Sequence, residues 1–210
     1  KHYAGGKISS SRFVKRETKP TDEAILTGRL IDRSIRPLFP KEFKMTEVQV
    51  MVSVLSVDQM NDPDVLGLIG ASAALSISSV PWNGPLAGVR IGAKDGKLVV
   101  NPTMDLVADL DMDLVVASGK EKVVMIETGA KQIDDKIVFD GIKEAHKQAQ
   151  EIIALIEEFT KKAGKPKQAV SHLEEALEKA LLAEVTKLTK ARIEAALFDN
   201  EHPWHEATGD

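Results

Sequence analysis

A cationic pair beside an aromatic ring lies near the start of the chain. Phe13 stands two residues before Lys15 and Arg16, in a stretch rich in glycine, serine and lysine that is typical of a loop. A base of single-stranded RNA can stack on such a ring while the neighbouring cations hold its phosphates, and stacking contributes about 1–3 kcal/mol per base. The segment therefore predicts that these three side chains bind RNA.

Three arginines follow at a spacing that suits one helix face. Arg29, Arg33 and Arg36 are separated by four and then three positions, which places them on one side of an α-helix. We call these residues the arginine face. Each guanidinium group presents a planar fork of donors to phosphate oxygens, so this face is a second candidate for RNA binding. The alternative is a solvated basic face that Glu23 and Asp32 partly neutralise.

Charge is distributed unevenly along the 210 residues. Residues 1–44 carry eleven Lys or Arg and five Asp or Glu, a net charge of 11 − 5 = +6, and the rest carries 17 − 27 = −10. Concentrated positive charge favours an anionic partner. The absence of cysteine excludes disulfides and thiolate metal sites, and it suits a reducing, cytoplasmic location. No apolar stretch reaches the roughly 18–20 residues of a membrane helix, so we expect no membrane partner.

Carboxylates cluster before one of the predicted strands. Asp105, Asp109, Asp111 and Asp113 are the candidate ligands for a divalent metal, because oxygen ligands of this kind hold Mg²⁺. The alternative, which we favour, is an acidic loop that caps the strand. The sequence contains no recognisable Ser-His-Asp arrangement and no glycine spacing typical of a phosphate-binding loop. The residues therefore predict neither a catalytic nor a metal site in this chain.

Helical and hairpin patterns alternate along the chain. Apolar spacing predicts a first helix that begins after Thr21 as its N-cap and ends at Pro37. The pair Asp95-Gly96 predicts a hairpin with a tight primed turn. The other expected elements are strands over 48–57, 113–118 and 123–127 and helices over 65–78, 132–162 and 168–198. This order predicts an α+β fold, a mixed sheet packed with helices and followed by an all-α segment.

Several segments together carry a family resemblance. They are FVKRE at residues 13–17, LIDRSIRPLFP at 30–40, IGASAALS at 69–76, NGP at 83–85, VNPT at 100–103 and LVVA at 114–117. In this order the chain closely resembles the first RNase PH-like core domain of bacterial polynucleotide phosphorylase. The resemblance implies a partial core domain over residues 1–163, incomplete at its N-terminus, and the start of an all-helical linker domain over 164–210.

The resemblance also implies a function for the complete protein. The family degrades RNA from its 3′ end with inorganic phosphate, releases nucleoside diphosphates, and can run in reverse as a polymerase. It implies Mg²⁺, a homotrimer with a central channel, and a role in mRNA turnover beside other RNA-degradation proteins. Phe13, Lys15 and Arg16 match the family's channel motif, although the family often has a second phenylalanine where Val14 stands and an arginine where Lys15 stands.

The family's first core half is generally not the catalytic one, and this chain fits that division. In the active half a serine-rich turn binds the attacking phosphate, whereas the matching residues 61–64 lack hydroxyl groups and include two aspartates. The active half also uses two aspartates and a lysine. Asp113 matches the second aspartate, but the first falls near Val107 and the lysine falls on Val115. The resemblance thus implies that the chain is inactive alone and that Mg²⁺ belongs to the other half.

The resemblance leaves the role of the arginine face open between tracking RNA phosphates and pairing at the interface with the second half. Two other functions also compete. One is a stand-alone RNA-binding scaffold subunit of an exosome-like ring, which the absence of a second core downstream would favour. The other is a single-core phosphorolytic exonuclease that acts on transfer-RNA ends, against which the missing lysine and serines argue.

Overall fold

A computed structural model of the protein describes residues 21–41, 43, 46–169 and 173–198. These residues form two compact units, a larger one built on residues 21–40 and 46–168 and a smaller one built on a single helix, α5, Leu173–Leu197. The domain boundaries that the family resemblance implies stay a prediction. Within the described chain, no helix is long and apolar enough to cross a membrane.

Among its described residues, the larger unit contains four α-helices and four strands. The helices are α1 Asp22–Ile35, α2 Pro63–Ile77, α3 Met104–Val107 and α4 Asp135–Ala163, and a 3₁₀ turn over Arg36–Leu38 continues α1. The strands are β1 Ala87–Lys94, β2 Lys97–Val100, β3 Met112–Ser118 and β4 Val123–Ala130. All of these elements except the short helix α3 match a predicted one.

The four strands form one sheet in the order β2-β1-β3-β4. Asp95 and Gly96 join β1 to β2 with φ values of 49° and 74°, which confirms the predicted primed turn. Every neighbouring pair of these strands is antiparallel. The predicted α+β class is confirmed by this sheet and the helices around it, but the described sheet is antiparallel rather than mixed.

Helices cover both faces of this sheet. Leu114 and Val116 of β3 are fully buried in a cluster with α4. Val115 and Ala117 lie on the opposite face, in a second cluster with side chains of α1 and α2. Successive residues of a strand face opposite sides, so the run LVVA is apolar throughout because both of its sides are buried. Helix α4 therefore packs on one face of β3, and α1 and α2 pack on the other.

The strand that the sequence predicts over residues 48–57 is not formed. The segment is extended and makes at most an isolated β-bridge, and the described sheet contains no strand from it. Its alternating side chains still pack as the pattern indicates, because Val48, Val50 and Val52 lie against the cluster of α1 and α2. Hydrophobic alternation determines which side chains face the core, but a strand also requires a backbone hydrogen-bonding partner.

Candidate nucleic-acid interface and ion cluster

Helix α1 positions the arginine face. The Thr21 side chain caps its first turn by accepting a hydrogen bond from the Ala24 amide at 3.2 Å, which confirms the predicted N-cap. Leu30, Ile31 and Ile35 are buried in the core and fix the rotation of the helix about its axis. The three residues of the arginine face consequently lie on the exposed side.

The three guanidinium groups have different surroundings. Arg36, in the 3₁₀ turn that continues α1, donates two hydrogen bonds of 3.1 and 2.7 Å to Asp32. Arg33 Nη1 lies 3.0 Å from Glu127 Oε2 on β4. Arg29 forms no ion pair with another described residue. Asp32 therefore partly neutralises the arginine face, as the alternative interpretation expected. Glu127, which pairs with Arg33, comes from a distant part of the sequence.

Both ion pairs of the arginine face are exposed enough to exchange for phosphate. The side chains of Arg33 and Glu127 are 51% and 53% exposed, and those of Arg36 and Asp32 are 75% and 49% exposed. Exposed pairs of this kind contribute about 0–1 kcal/mol, and water solvates each carboxylate that is released. The arginine face can therefore bind an anion at little cost in protein stability.

Three further RNA-binding candidates belong to the opening segment of the chain. Phe13, Lys15 and Arg16 lie outside the described residues, so their contact with RNA stays a prediction.

A different arginine environment lies at the start of α2. Arg90 of β1 donates from Nε and Nη2 to the two carboxylate oxygens of Asp113 on β3, at 2.8 and 2.7 Å. Its Nη1 donates to Asp62 at 3.0 Å and lies 3.9 Å from a carboxylate oxygen of Asp64. We call these four residues the ion cluster. Because the Arg90 side chain is only 15% exposed, its guanidinium is committed to these three carboxylates.

Strand register and a helix cap build the ion cluster. Asp113 lies opposite Gly92 in the antiparallel pair, which makes it the diagonal neighbour of Arg90 on the same face of the sheet. Asp62 is the N-cap of α2 and accepts a hydrogen bond from the Asp64 amide at 3.1 Å. Both carboxylates at this helix end also interact favourably with the positive end of the helix dipole.

Protonation in the ion cluster is shifted by burial and by charge. Burial, followed by the negative charge of Asp62, raises the pKa of Asp64, and Arg90 offsets part of this rise. The hydrogen bonds to Asp113 raise the pKa of Arg90, so its guanidinium stays charged at any physiological pH. With its carboxylates ionised, the cluster has three negative charges and one positive charge. Its net charge is therefore negative.

The ion cluster borders a cavity of about 740 Å³. Asp58 and Glu151 add two carboxylates to its wall beside Asp62 and Asp64, and Arg90 contributes the only basic side chain among the lining residues. A wall with this excess of negative charge repels phosphate. The cavity is lined in part by residues 61–64, which the family resemblance aligns with the phosphate-binding turn of the active half.

Arg90 lies at the centre of the cluster and is not among the site residues predicted from the sequence. A signal was present, because Arg90 interrupts an otherwise apolar strand, and a buried charge requires a partner. The partners were not identifiable, since Asp62 and Asp113 are 28 and 23 positions away in sequence.

Three of the four aspartates considered as metal ligands make separate side-chain contacts. Asp113 belongs to the ion cluster, and Asp111 Oδ2 accepts a hydrogen bond from the Asp95 amide at 3.0 Å. A hydrogen bond from the Thr103 side chain lowers the pKa of Asp105. In the part of the chain that the structure describes, no group of three or more potential ligands could hold a metal ion.

The chain matches known proteins over most of its length. Residues 2–81 match the model described as 3′ exoribonuclease family, domain 1, and residues 84–148 match domain 2 of that family. Curated proteins named polyribonucleotide nucleotidyltransferase are 51% identical over 168 residues in Heliobacterium modesticaldum, 48% over 169 residues in Thermus thermophilus and 44% over 197 residues in Geobacter sulfurreducens.

These alignments cover 80%, 80% and 94% of the chain but only 23%, 23% and 28% of the three relatives. The chain therefore spans about a quarter of the length of the curated relatives that it matches. Among solved structures, the crystal structure of rice (Oryza sativa) Rrp46 aligns with a TM-score of 0.54 and 10% identity, over 66% of each chain. At that identity the likeness concerns the fold alone, and it agrees with the predicted RNase PH-like core.

Proposed function

The chain belongs to the 3′ exoribonuclease family, and we propose that it is the RNA-gripping, non-catalytic core half of a polyribonucleotide nucleotidyltransferase. The complete protein would shorten RNA from its 3′ end with inorganic phosphate as co-substrate and release nucleoside diphosphates. Because the chain spans about a quarter of its relatives, we assign the chemistry to the complete protein and RNA contact to this part.

The proposal rests on one observation, which is the contrast between the exposed arginine face and the largely buried Arg90. The arginine face is exposed and its ion pairs are weak, so it can take up phosphates of RNA. Arg90 is held by three carboxylates next to a negatively charged cavity, so it cannot hold the attacking phosphate. The chain thus has an exposed cationic surface that suits RNA, whereas carboxylates surround the arginine that could otherwise hold the attacking phosphate.

The residues around Asp113 support the proposal that this core half does not catalyse phosphorolysis. Val115, which the resemblance aligns with the catalytic lysine, is 6% exposed and lies in the apolar cluster of α1 and α2. It shares a strand face with Asp113, so the place of the missing amine is filled by a packed valine. Among the described residues, no group of three or more potential ligands could hold a metal ion, and we infer that another part of the complete protein binds Mg²⁺.

The wider setting of the protein is also part of the proposal. We infer a homotrimer with a central channel into which the arginine face and the segment of Phe13, Lys15 and Arg16 would bring single-stranded RNA. We further infer a cytoplasmic location and a role in mRNA turnover. These inferences depend on the family resemblance and on the charge distribution of the sequence.

One experiment measures RNA binding by this chain and phosphorolysis as two separate signals. The isolated chain is mixed with poly(A), phosphate and Mg²⁺, and release of adenosine diphosphate is measured beside the complete protein. We expect RNA binding without product release. Release of nucleoside diphosphate by the isolated chain would contradict a non-catalytic role.

A matched pair of variants tests the arginine face in the complete protein. Replacing Arg29, Arg33 and Arg36 together by alanine should weaken RNA binding and lower the slope of log affinity against log salt, by about 0.7 for each lost phosphate contact. The control replaces three exposed lysines of α4 by alanine, which removes the same charge elsewhere. Equal losses in both variants would show a general charge effect and would contradict a specific contact.

A further inference from the structure

The C-terminal end of α2 is capped by a lysine that is distant in sequence. Lys167 Nζ donates to the backbone carbonyls of Leu75 at 2.7 Å, Ser76 at 3.0 Å and Ser78 at 2.9 Å. The last carbonyls of a helix lack partners within the helix. An ammonium group has three N–H donors, and all three are used by these backbone carbonyls. The Leu75 carbonyl also accepts hydrogen bonds from the amide and the hydroxyl group of Ser78.

Two backbone hydrogen bonds flank this contact. We call residues 164–168, which follow α4, the return segment. The Lys165 amide donates to the Ile77 carbonyl at 2.9 Å, and the Gln168 amide donates to the Ser79 carbonyl at 2.8 Å. The return segment therefore runs along residues 75–79, held at both ends by its backbone and in the middle by one side chain.

The contact of Lys167 depends on its charge. The negative end of the α2 dipole attracts a cation, and no described carboxylate forms an ion pair with Lys167. Partial burial lowers the pKa of Lys167. A neutral, apolar side chain of similar length would leave the three carbonyls without this partner.

We propose that Lys167 is a clamp that fastens the return segment to the end of α2 and so determines where the chain leaves the larger unit. The clamp is independent of RNA binding and of the proposed function. Its three acceptors are main-chain atoms, so the contact requires the lysine but no particular side chain on α2. Loss of the ammonium should free residues 165–168 while the rest of the larger unit stays folded.

Amide hydrogen exchange of the full chain tests the clamp. In K167M, the amides of Lys165 and Gln168 should exchange at least tenfold faster than in the unmodified chain. Amides in β1 and β3 should keep their protection. The control is K165M, which removes the same charge two positions away from Lys167. The Lys165 side chain forms no hydrogen bond or ion pair with a described residue. It should leave the exchange rates unchanged.

Two further variants keep the outcome decisive. K167R retains a cation with several donors and should keep the protection, whereas K167Q retains two donors without charge and should fall between the arginine and methionine variants. Unchanged exchange at Lys165 and Gln168 in K167M overturns the clamp. So does a loss of protection throughout β1 and β3 in both K167M and K167Q, because it would mean that Lys167 supports the whole unit rather than the return segment.

Discussion

Replacing Arg90 by methionine should destabilise the larger unit strongly. The change removes the one cation of the ion cluster and keeps an apolar side chain of similar length. Asp62, Asp64 and Asp113 then face one another with side-chain exposures of 32%, 13% and 32%. Their mutual repulsion is no longer offset, and the hydrogen bonds that Arg90 donated are lost.

The size of the effect follows from the burial of the cluster. Removing one partner of a fully buried ion pair costs about 3–5 kcal/mol. Water reaches two of the three carboxylates in part, so we expect a loss of about 2–4 kcal/mol in the free energy of unfolding at neutral pH. With a urea m-value of roughly 2 kcal/mol per molar, the midpoint of unfolding should fall by about 1–2 M.

Urea unfolding followed by circular dichroism measures this loss, and R36M is the matched control. Arg36 also binds one carboxylate through Nε and Nη2, at 3.1 and 2.7 Å, but its side chain is 75% exposed. R36M should therefore cost at most about 1 kcal/mol. Both variants remove an arginine that binds one aspartate through two hydrogen bonds, so the difference between them reflects the burial of the cluster together with the two further carboxylates that Arg90 contacts.

Acidification gives R90M a second signature. Burial and the negative charge of Asp62 already raise the pKa of Asp64 in the folded chain, and loss of Arg90 removes the charge that offsets part of this rise. A raised folded-state pKa contributes stability below the unfolded value and loses it as the pH rises. The deficit of R90M should therefore shrink toward about pH 4 and widen toward neutrality. A loss below 1 kcal/mol at pH 7, or a deficit that does not change with pH, would refute the electrostatic account.

Four other variants test separate parts of the protein. In G70A the added methyl group meets nothing within 4 Å, so this variant should stabilise the chain by about 0.5–1 kcal/mol. In G141A the added methyl group meets Leu114 at 3.0 Å, so this variant should destabilise the chain by about 1–2 kcal/mol. Equal unfolding midpoints for the two variants would contradict the packing of α4. D64N should gain stability relative to the unmodified chain as the pH rises through the raised pKa of Asp64, and parallel pH profiles would argue against that shift. Replacing Lys15 and Arg16 by alanine in the complete protein should lower the salt slope of RNA binding by about 1.4, and an unchanged slope would exclude phosphate contacts.

Local features of the fold were predictable because their causes are local. The Thr21 cap involves an amide three positions away, and the turn at Asp95 and Gly96 depends on the conformational preferences of two adjacent residues. The strand expected over residues 48–57 shows the limit of such reasoning. Its side chains alternate as a strand requires, but pairing depends on a second backbone segment that a local pattern does not reveal.

The candidate site was predictable only where exposure decides it. Spacing placed the arginine face on one side of α1, and the burial of the opposite side follows from the apolar residues of that helix. The partners of the charged groups depend on tertiary contacts, such as the one between Arg33 and Glu127, 94 positions apart. The charge balance of the ion cluster likewise arises only when β1, β3 and α2 meet.

The surroundings of each arginine decide which of them can bind RNA. If a phosphate replaced the carboxylate of Asp32 at Arg36, the released carboxylate would be solvated, and the exchange would cost about 1 kcal/mol or less. A phosphate at Arg90 would have to displace Asp113 into a partly buried site that Asp62 and Asp64 already make negative, which adds repulsion to the loss of two short hydrogen bonds. Both arginines form the same two-bond contact with an aspartate, so burial and neighbouring charge distinguish them. RNA binding by the larger unit should therefore depend on α1 and be insensitive to the neutralisation of Asp62.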